Sequence, residues 1–462
     1  MYWFAQRMCL AGTALVMGAS ISFGQVVAVS DFSDNGRSLQ RSSMANYNDQ
    51  LFFSVGIDDT NIRELWQFDG TEIGLVQSGF VGDSEISIDE FTEFQGNLYF
   101  TADRGTHGQE LYRYDGNEVT LAADIDPGLN SSSPVGLHVH NNELFFSAQE
   151  NGSFNNLWKF DGTNASRVAT FDNPRSSVVT GGSFNNELYF GADDGNSGME
   201  LWKYDGSGVA QVADINTGSG DSFPRDFVVA EDRIYFKATT TEFGQEIWQF
   251  DQINGASLLV DTNPGSFSSD PGFLTLDDDN LLFSGVSRKR RFLFSANDDG
   301  VVTQVTDGGG PVDIGTGELA TIHGRRIGGV EYNDLYLLDG TFFRTTVPSV
   351  GSFEILDEDL YFGCACDEAE LYRLAQPGDV NADGSVNFAD FLVLSQNFGS
   401  NGSWPDGDFG NDGMVSFSDF LDLSENFGTE GIIRRATPVP EPSANLIALI
   451  AIVAIFSRRR SR

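Results

Sequence analysis

A repeat constrains this chain more than any other feature. ELWQFDG at 64–70, ELYRYDG at 110–116, NLWKFDG at 156–162, ELWKYDG at 200–206 and EIWQFDQ at 246–252 are copies of one unit. Degraded copies follow at LYLLDG (335–340) and ELYRL (370–374). Each comes after a strand-like run: LFFSV, LYFTA, LFFSA, LYFGA, IYFKA, LLFSG or LYFGC. The first six runs begin at 51, 98, 144, 188, 234 and 281, a spacing of 44 to 47 residues. A fixed period of that size means repeated supersecondary units stacked on their neighbours.

Within a unit the period is two. Leu201, Lys203 and Asp205 point one way, and Trp202 and Tyr204 the other, which predicts a half-buried strand. Asp205-Gly206 reads as a type I′ hairpin turn with both central residues at positive φ. Each unit then holds about four short strands, for example GLHVHNN (136–142), ELFFSA (143–148), NLWKF (156–160) and ASRVATF (165–171). Four strands per repeat make one propeller blade. The last unit, from about Val350 to Leu374, shows three strand candidates, while the N-terminus offers a spare one, VVAVSDF (26–32). Joining the two would complete the last blade and remove the exposed sheet edges. Counting an irregular seventh unit at 320–347, the expectation is mainly β: an eight-bladed β-propeller over 25–375, with seven blades as the alternative. A small α-helical unit follows it.

These stretches resemble the ELWxxDGT repeat of bacterial surface and secreted proteins. The resemblance implies a propeller and is not tied to one reaction. The repeated Trp and Tyr are accordingly read as blade-packing residues.

The chain has 462 residues and a formal net charge of −40. A field that negative repels nucleic acid and anionic lipid and favours divalent cations. Residues 1–24 read as a secretory signal: Arg7, an apolar run from Met8 to Val16, and Ser22-Phe-Gly24 before the cut. Cys9 leaves with it, and Cys364 and Cys366 alone do not make a disulfide framework or a zinc site.

Catalytic signals in the repeats are weak. No G-x-S-x-G elbow and no S-x-D-x-G-x-x-W aspartate box is present. Among four histidines, His138 and His140 share one strand face, a metal-ligating arrangement with no third ligand in view. They are read as surface strand residues. DIDPGLNSSSP (124–134), DINTGSGDSFP (214–224) and DTNPGSFSSDP (261–271) recur, with Asp124, Asp214 and Asp261 in register. They read as Asx turns, with weak Ca²⁺ binding as the sharper alternative. Arg288 to Arg291 form a basic run read as a solvated turn, the alternative being a contact with anionic polysaccharide.

The specific signal lies at 376–430. DVNADGSVNFAD (379–390) places oxygens at positions 1, 3, 5, 7, 9 and 12 of a Ca²⁺ loop, with Gly at 6. Asp379, Asn381 and Asp383 supply side chains, Ser385 a carbonyl, Asn387 a side chain or a water contact, and Asp390 the last carboxylate. DFGNDGMVSFSD (408–419) repeats this with Asp408, Asp412, the carbonyl of Met414, and Asp419. Gly410 has no side chain to offer, so this site is expected to be weaker. Each loop enters a helix, FADFLVLSQNFG (388–399) or FSDFLDLSENFG (417–428), with Gly399 and Gly428 as stops. Two such units resemble a type I dockerin. That implies Ca²⁺ as cofactor and a cohesin-like partner contacting loop positions 10 and 11. Here those positions are Phe388-Ala389 and Phe417-Ser418, where dockerins favour small hydroxyl residues; the alternative is that both Phe pack inside.

After a linker at 431–438, Val439-Pro-Glu-Pro442 precedes eleven apolar residues, Leu446–Phe456, and a terminal arginine cluster. The run is short of the roughly 20 residues that span a bilayer. The tail at 439–462 resembles a PEP-CTERM sorting signal with a short transmembrane helix. It implies processing by an exosortase in a Gram-negative bacterium, with membrane contact only through the tail. The overall expectation is an exported surface or matrix protein, non-catalytic, binding a cohesin-like protein or extracellular polysaccharide but not nucleic acid. The rival is a carbohydrate-active hydrolase or lyase with its site in the propeller funnel.

Overall fold

The computed structural model of the chain describes residues 25–428, except 30–35, 40–43, 82–87, 153–155, 172–177, 278–279, 288–289, 307–310, 314–318, 328–329, 338–341, 349, 357–358, 365–370, 376–377, 382–383, 403–405 and 410–412. The proposed signal and sorting tail, Cys366, Asp383, Asp412 and Arg288-Lys289 therefore lie outside the described residues, while Arg290 and Arg291 of the basic run begin the strand Arg290–Ala296 instead of lying in a turn.

Each repeat forms an antiparallel sheet, and the described strands make eight of them in chain order. The third is typical: Val135–His140, Glu143–Ala148, Asn156–Phe160 and Ala165–Ala169 pair in sequence. The unit at 320–347 also forms a sheet, from Pro311–Asp313 to Phe342–Pro348. The first strands of the second to seventh sheets lie beside one another in order, a propeller-like arrangement. In the last sheet, Val350–Leu356, Asp359–Cys364 and Leu371–Ala375 are joined by Gln25–Ala28, with Gln25 opposite Ala375. The spare N-terminal strand pairs as its sequence predicts.

The inner strands are not half-buried, whereas outer strands such as Ala165–Ala169 and Val209–Ala213 keep exposed positions. Leu188–Ala192 and Leu144–Ala148 are buried on both faces. Leu201 packs with Ile234, Phe236 and Trp248 of the following sheet. Trp202 and Tyr204 pack with Phe145, Leu157 and Phe171 of the preceding one. The alternation of side chains is as read from the sequence, but the fourth sheet is sandwiched between the third and the fifth. Aromatic residues therefore recur on both faces, and edge-to-face pairs such as Phe171–Trp202 (5.4 Å) join adjacent sheets. Between the last sheet and the first, Leu356, Tyr361 and Leu371 pack with Leu51, Phe53 and Phe68.

The Asp-Gly hairpin also differs from the expected type I′ turn. Only Gly206 has positive φ (91°); Asp205 does not. Instead Asp205 Oδ1 accepts from Ser207 N (2.8 Å) and Gly208 N (3.0 Å), closing a four-residue Asx-type loop. Asp69, Asp115, Asp161 and Asp251 do the same. The accepted bonds hold these carboxyls low, Asp205 at about 2. Paired positive φ occurs two hairpins earlier, between the first and second strands of a blade, at Asn141-Asn142 and Asn185-Asn186.

The glutamate of the repeat is buried. Glu110 accepts from Ile125 N (2.8 Å), Ser132 N (3.1 Å) and Ser132 Oγ (2.5 Å). Glu200 accepts from Ile215 N (2.7 Å) and Ser222 Oγ (2.7 Å), and Glu246 from Ser269 N (2.7 Å) and Ser269 Oγ. Each carboxyl thus pins the long D…S-x-P loop that leaves its own blade. In the third sheet Asn156 takes this place and accepts from Phe171 N (2.7 Å). Within the loops, Asp261 Oδ1 accepts from Asn263 N, as an Asx turn does, whereas Asp214 Oδ2 accepts from Gly218 N, four residues on.

Burial pushes Glu200 and Glu246 up to about 7 from the ordinary 4.5, and the bonds they accept offset only part of this. A carboxyl raised in the folded state adds its full stabilisation below its unfolded pKa and loses it as pH climbs through the folded value. At 1.36 kcal/mol per pKa unit, each contributes at most about 3 kcal/mol. Calorimetric unfolding should therefore move to lower temperature between about pH 5 and pH 8. Glu200→Gln should flatten that slope, and an unchanged slope would refute the role of this carboxyl.

Candidate metal centre

The two C-terminal loops each run into a ten-residue helix, α1 (Phe388–Asn397) and α2 (Phe417–Asn426). Asn387 and Ser416 begin them as N-caps, each within a reciprocal capping box completed by Asp390 or Asp419. Gly399 (φ 79°) and Gly428 (φ 84°) follow the C-caps in the left-handed region, as helix stops do. Between the helices lies a shared core of Val386, Phe391, Leu394, Phe409, Val415, Phe420 and Leu423.

In the first loop Asp379 and Asp390 are both fully buried. Asp379 Oδ2 accepts from Gly384 N (3.0 Å). Asp390 Oδ1 accepts from Val380 N (2.9 Å), and its Oδ2 from Asn387 N (2.8 Å). The first and last loop positions are thereby brought together. Gly384 sits at φ 89°, the bend expected at position 6. Asn381 is exposed. Asn387 Oδ1 is used as the helix cap, accepting from Ala389 N (2.8 Å), while its Nδ2 donates to the Ser385 carbonyl (3.2 Å). Position 9 therefore orients the loop, and a water contact suits it better than direct ligation.

The second loop repeats the pattern. Asp408 and Asp419 are buried, Asp408 Oδ2 accepts from Gly413 N (2.8 Å), and Asp419 Oδ2 accepts from Ser416 N (2.7 Å). Gly413 has φ 88°. The Met414 side chain is exposed, and its backbone bridges to Asn401, tying the second loop to the segment after α1. Among the described residues no three His, Cys, Asp or Glu side chains gather at metal-binding distance; Asp383 and Asp412, the middle acid of each set, lie outside those residues.

This donor set fits a hard dication. Four fully buried carboxylates in one small unit are costly unless charge is supplied to them. Sequence reading missed one cation at the site: Arg373, from the last β-strand, approaches Asp379 with Nη2–Oδ2 at 3.6 Å. It was hidden because the pair is formed across the boundary between the sheets and the helical unit.

Phe388 and Phe417 are not packed inside; they are 53% and 57% exposed. With Leu392 and Leu421, one helical turn on, they leave an exposed apolar pair on each helix. Phe388 leans on Phe391 (5.7 Å), and Phe417 on Phe420 (5.8 Å).

The histidine pair also departs from its expected surface position. His140 is buried, and Ser183 of the next sheet lies 2.8 Å from both His138 Nε2 and His140 Nδ1.

No family model matches the chain, and no curated protein matches it. Among solved structures it is similar to a streptogramin B lyase, with 12% identity and a TM-score of 0.41 over 76% of this chain and 97% of that one. It is also similar to a puromycin hydrolase S511A mutant complexed with PGG, with 10% identity and a TM-score of 0.40 over 62% and 48%. Similarity of that degree assigns neither fold nor activity, and the architecture rests on the chain's own strand pairing.

Titration of the chain with Ca²⁺ is expected to show two sites of unequal affinity, the tighter lost in Asp379→Ala. Gly413→Ala meets no obstructing atom within 4 Å, so only the left-handed backbone opposes it. It should cost about 1–2 kcal/mol and weaken the second site alone in the same titration.

Proposed function

We propose that this chain is an exported, non-catalytic binding and assembly protein. Its eight blades close into a ring that serves as a rigid stage for a calcium-dependent, dockerin-like docking module. One observation carries this reading: fully buried aspartates stand at the first and last positions of both loops, each loop bending at a left-handed glycine. Asp379, Asn381, Asp383, the Ser385 carbonyl and Asp390 would hold Ca²⁺ in the first loop. Asp408, Asp412, the Met414 carbonyl and Asp419 would hold it in the second. The ion supplies the positive charge that lets these carboxylates stay ionised away from water.

The residues of the chain then act through order. Asp390 and Asp419 tie each loop to its helix through the capping boxes, so loop closure fixes helix position. The helices present Phe388, Leu392, Phe417 and Leu421 to solvent. Such a face suits a cohesin-like protein surface with apolar complement better than one recognising hydroxyl residues. Ring closure is supported by pairing of Gln25–Ala28 with Leu371–Ala375 and by the core shared between the last and first sheets.

Export rests on residues 1–24, and sorting by an exosortase to the surface or matrix of a Gram-negative cell on residues 439–462. Extracellular polysaccharide is the other partner class in that setting. The test is capture of partners from the source envelope with and without EGTA. A cohesin-like protein retained in Ca²⁺, released by EGTA and lost in Phe388→Ser/Phe417→Ser supports docking. Capture indifferent to EGTA and to both Phe substitutions refutes it.

A further inference from the structure

His138 and His140 are two residues apart on the strand Val135–His140, so their rings project from the same face. That face meets the strand Val179–Phe184 of the next sheet. His138 presents Nε2 and His140 presents Nδ1, ring atoms at different distances from the backbone. Both nitrogens end 2.8 Å from one atom, Ser183 Oγ.

The proton positions follow from the hydrogen-bond chain. Asn141 Nδ2 lies 3.0 Å from His140 Nε2 and donates to it. Neutral His140 then carries its proton on Nδ1 and donates to Ser183 Oγ. The Ser183 hydroxyl has one proton, and it goes to His138 Nε2. The Nε2 lone pair of His138 accepts that proton, and both ring nitrogens point at the spot where the two rings converge. Burial holds both imidazoles below the ordinary histidine value, with His140 further disfavouring charge on His138. Neutral imidazole is the ligating form.

We propose that His138 Nε2 and His140 Nδ1 bind a single first-row transition-metal dication, of which Zn²⁺ is the test case, at the junction of the third and fourth sheets. Nitrogen ligands select such borderline ions over the hard Ca²⁺ of the C-terminal loops. Ser183 Oγ and water complete the coordination. On binding, His140 moves its proton from Nδ1 to Nε2, and the Asn141 amide turns so that its oxygen accepts it. The two imidazoles stay neutral and no net proton leaves them. Asn141, held at φ 49° by the turn, is a positioning residue for the His140 tautomer.

The experiment uses the full chain purified without a histidine tag and saturated with Ca²⁺, so that the C-terminal loops do not compete. Calorimetric titration with ZnCl₂, and absorption spectra with Co²⁺ in its place, should show one saturable site. His138→Gln and His140→Gln should each abolish it while leaving Ca²⁺ binding and the β-sheet circular dichroism unchanged, the latter reporting that the sheets are folded. Asn141→Ala should weaken it about tenfold, as loss of an outer hydrogen-bond partner does. Absence of saturable Zn²⁺ binding in the unsubstituted chain would falsify the proposal. Binding that survives both histidine substitutions, or disappears in Cys364→Ser instead, overturns it too. If the histidine substitutions lower thermal stability and no Zn²⁺ is bound, the cluster only joins the two sheets and the proposal fails.

Discussion

Burial of both faces of the inner strands is the constraint on which the rest of this structure depends. A four-stranded antiparallel sheet with one dry face leaves its other face and its edges wet. Here Leu201 is covered by the following sheet while Trp202 and Tyr204 are covered by the preceding one. Each repeat is therefore incomplete alone and is stabilised by the next. This explains why Phe is so abundant, at 39 residues, and why strands such as Leu188–Ala192 are apolar on consecutive positions.

That packing leaves the polar parts of each repeat with structural work. Asp69, Asp115, Asp161, Asp205 and Asp251 close their loops by accepting backbone N–H groups, and the buried Glu110, Glu200 and Glu246 pin the loops running to the next blade. A carboxylate can do this in a dry place only because several donors converge on it, and burial still raises the pKa of Glu200 and Glu246. The same economy appears at the C-terminus, where Asp390 and Asp419 serve helix caps and loop amides together. Buried acids are thus used in two ways: satisfied by the chain's own N–H groups in the blades, and gathered in pairs in the loops, where a dication suits them.

Much of this was legible in the residues. The repeat announced the blades, the spare strand at 26–32 announced the pairing with the last sheet, and Asp379, Gly384 and Asp390 marked a loop with its bend and its ends. The turn at Asp205 was misread because Asp-Gly is shared by type I′ hairpins and Asx loops; the choice depends on which N–H groups the carboxylate reaches. The two Phe at loop position 10 were open to either reading, since a helix of this composition offers more apolar residues than one small core can bury.

The sequence by itself determined the repeat unit, its strand count and the oxygen spacing of the C-terminal loops, because these depend on neighbours along the chain. Only the tertiary structure decided what lay across the gaps between units. It buried the second face of each strand and turned the repeated Glu toward a loop 15 to 23 residues away. It set Arg373 beside Asp379 and brought Ser183 between two histidines more than 40 residues earlier. Such contacts depend on how separate sheets and loops meet in space, and no local pattern of residues encodes that meeting.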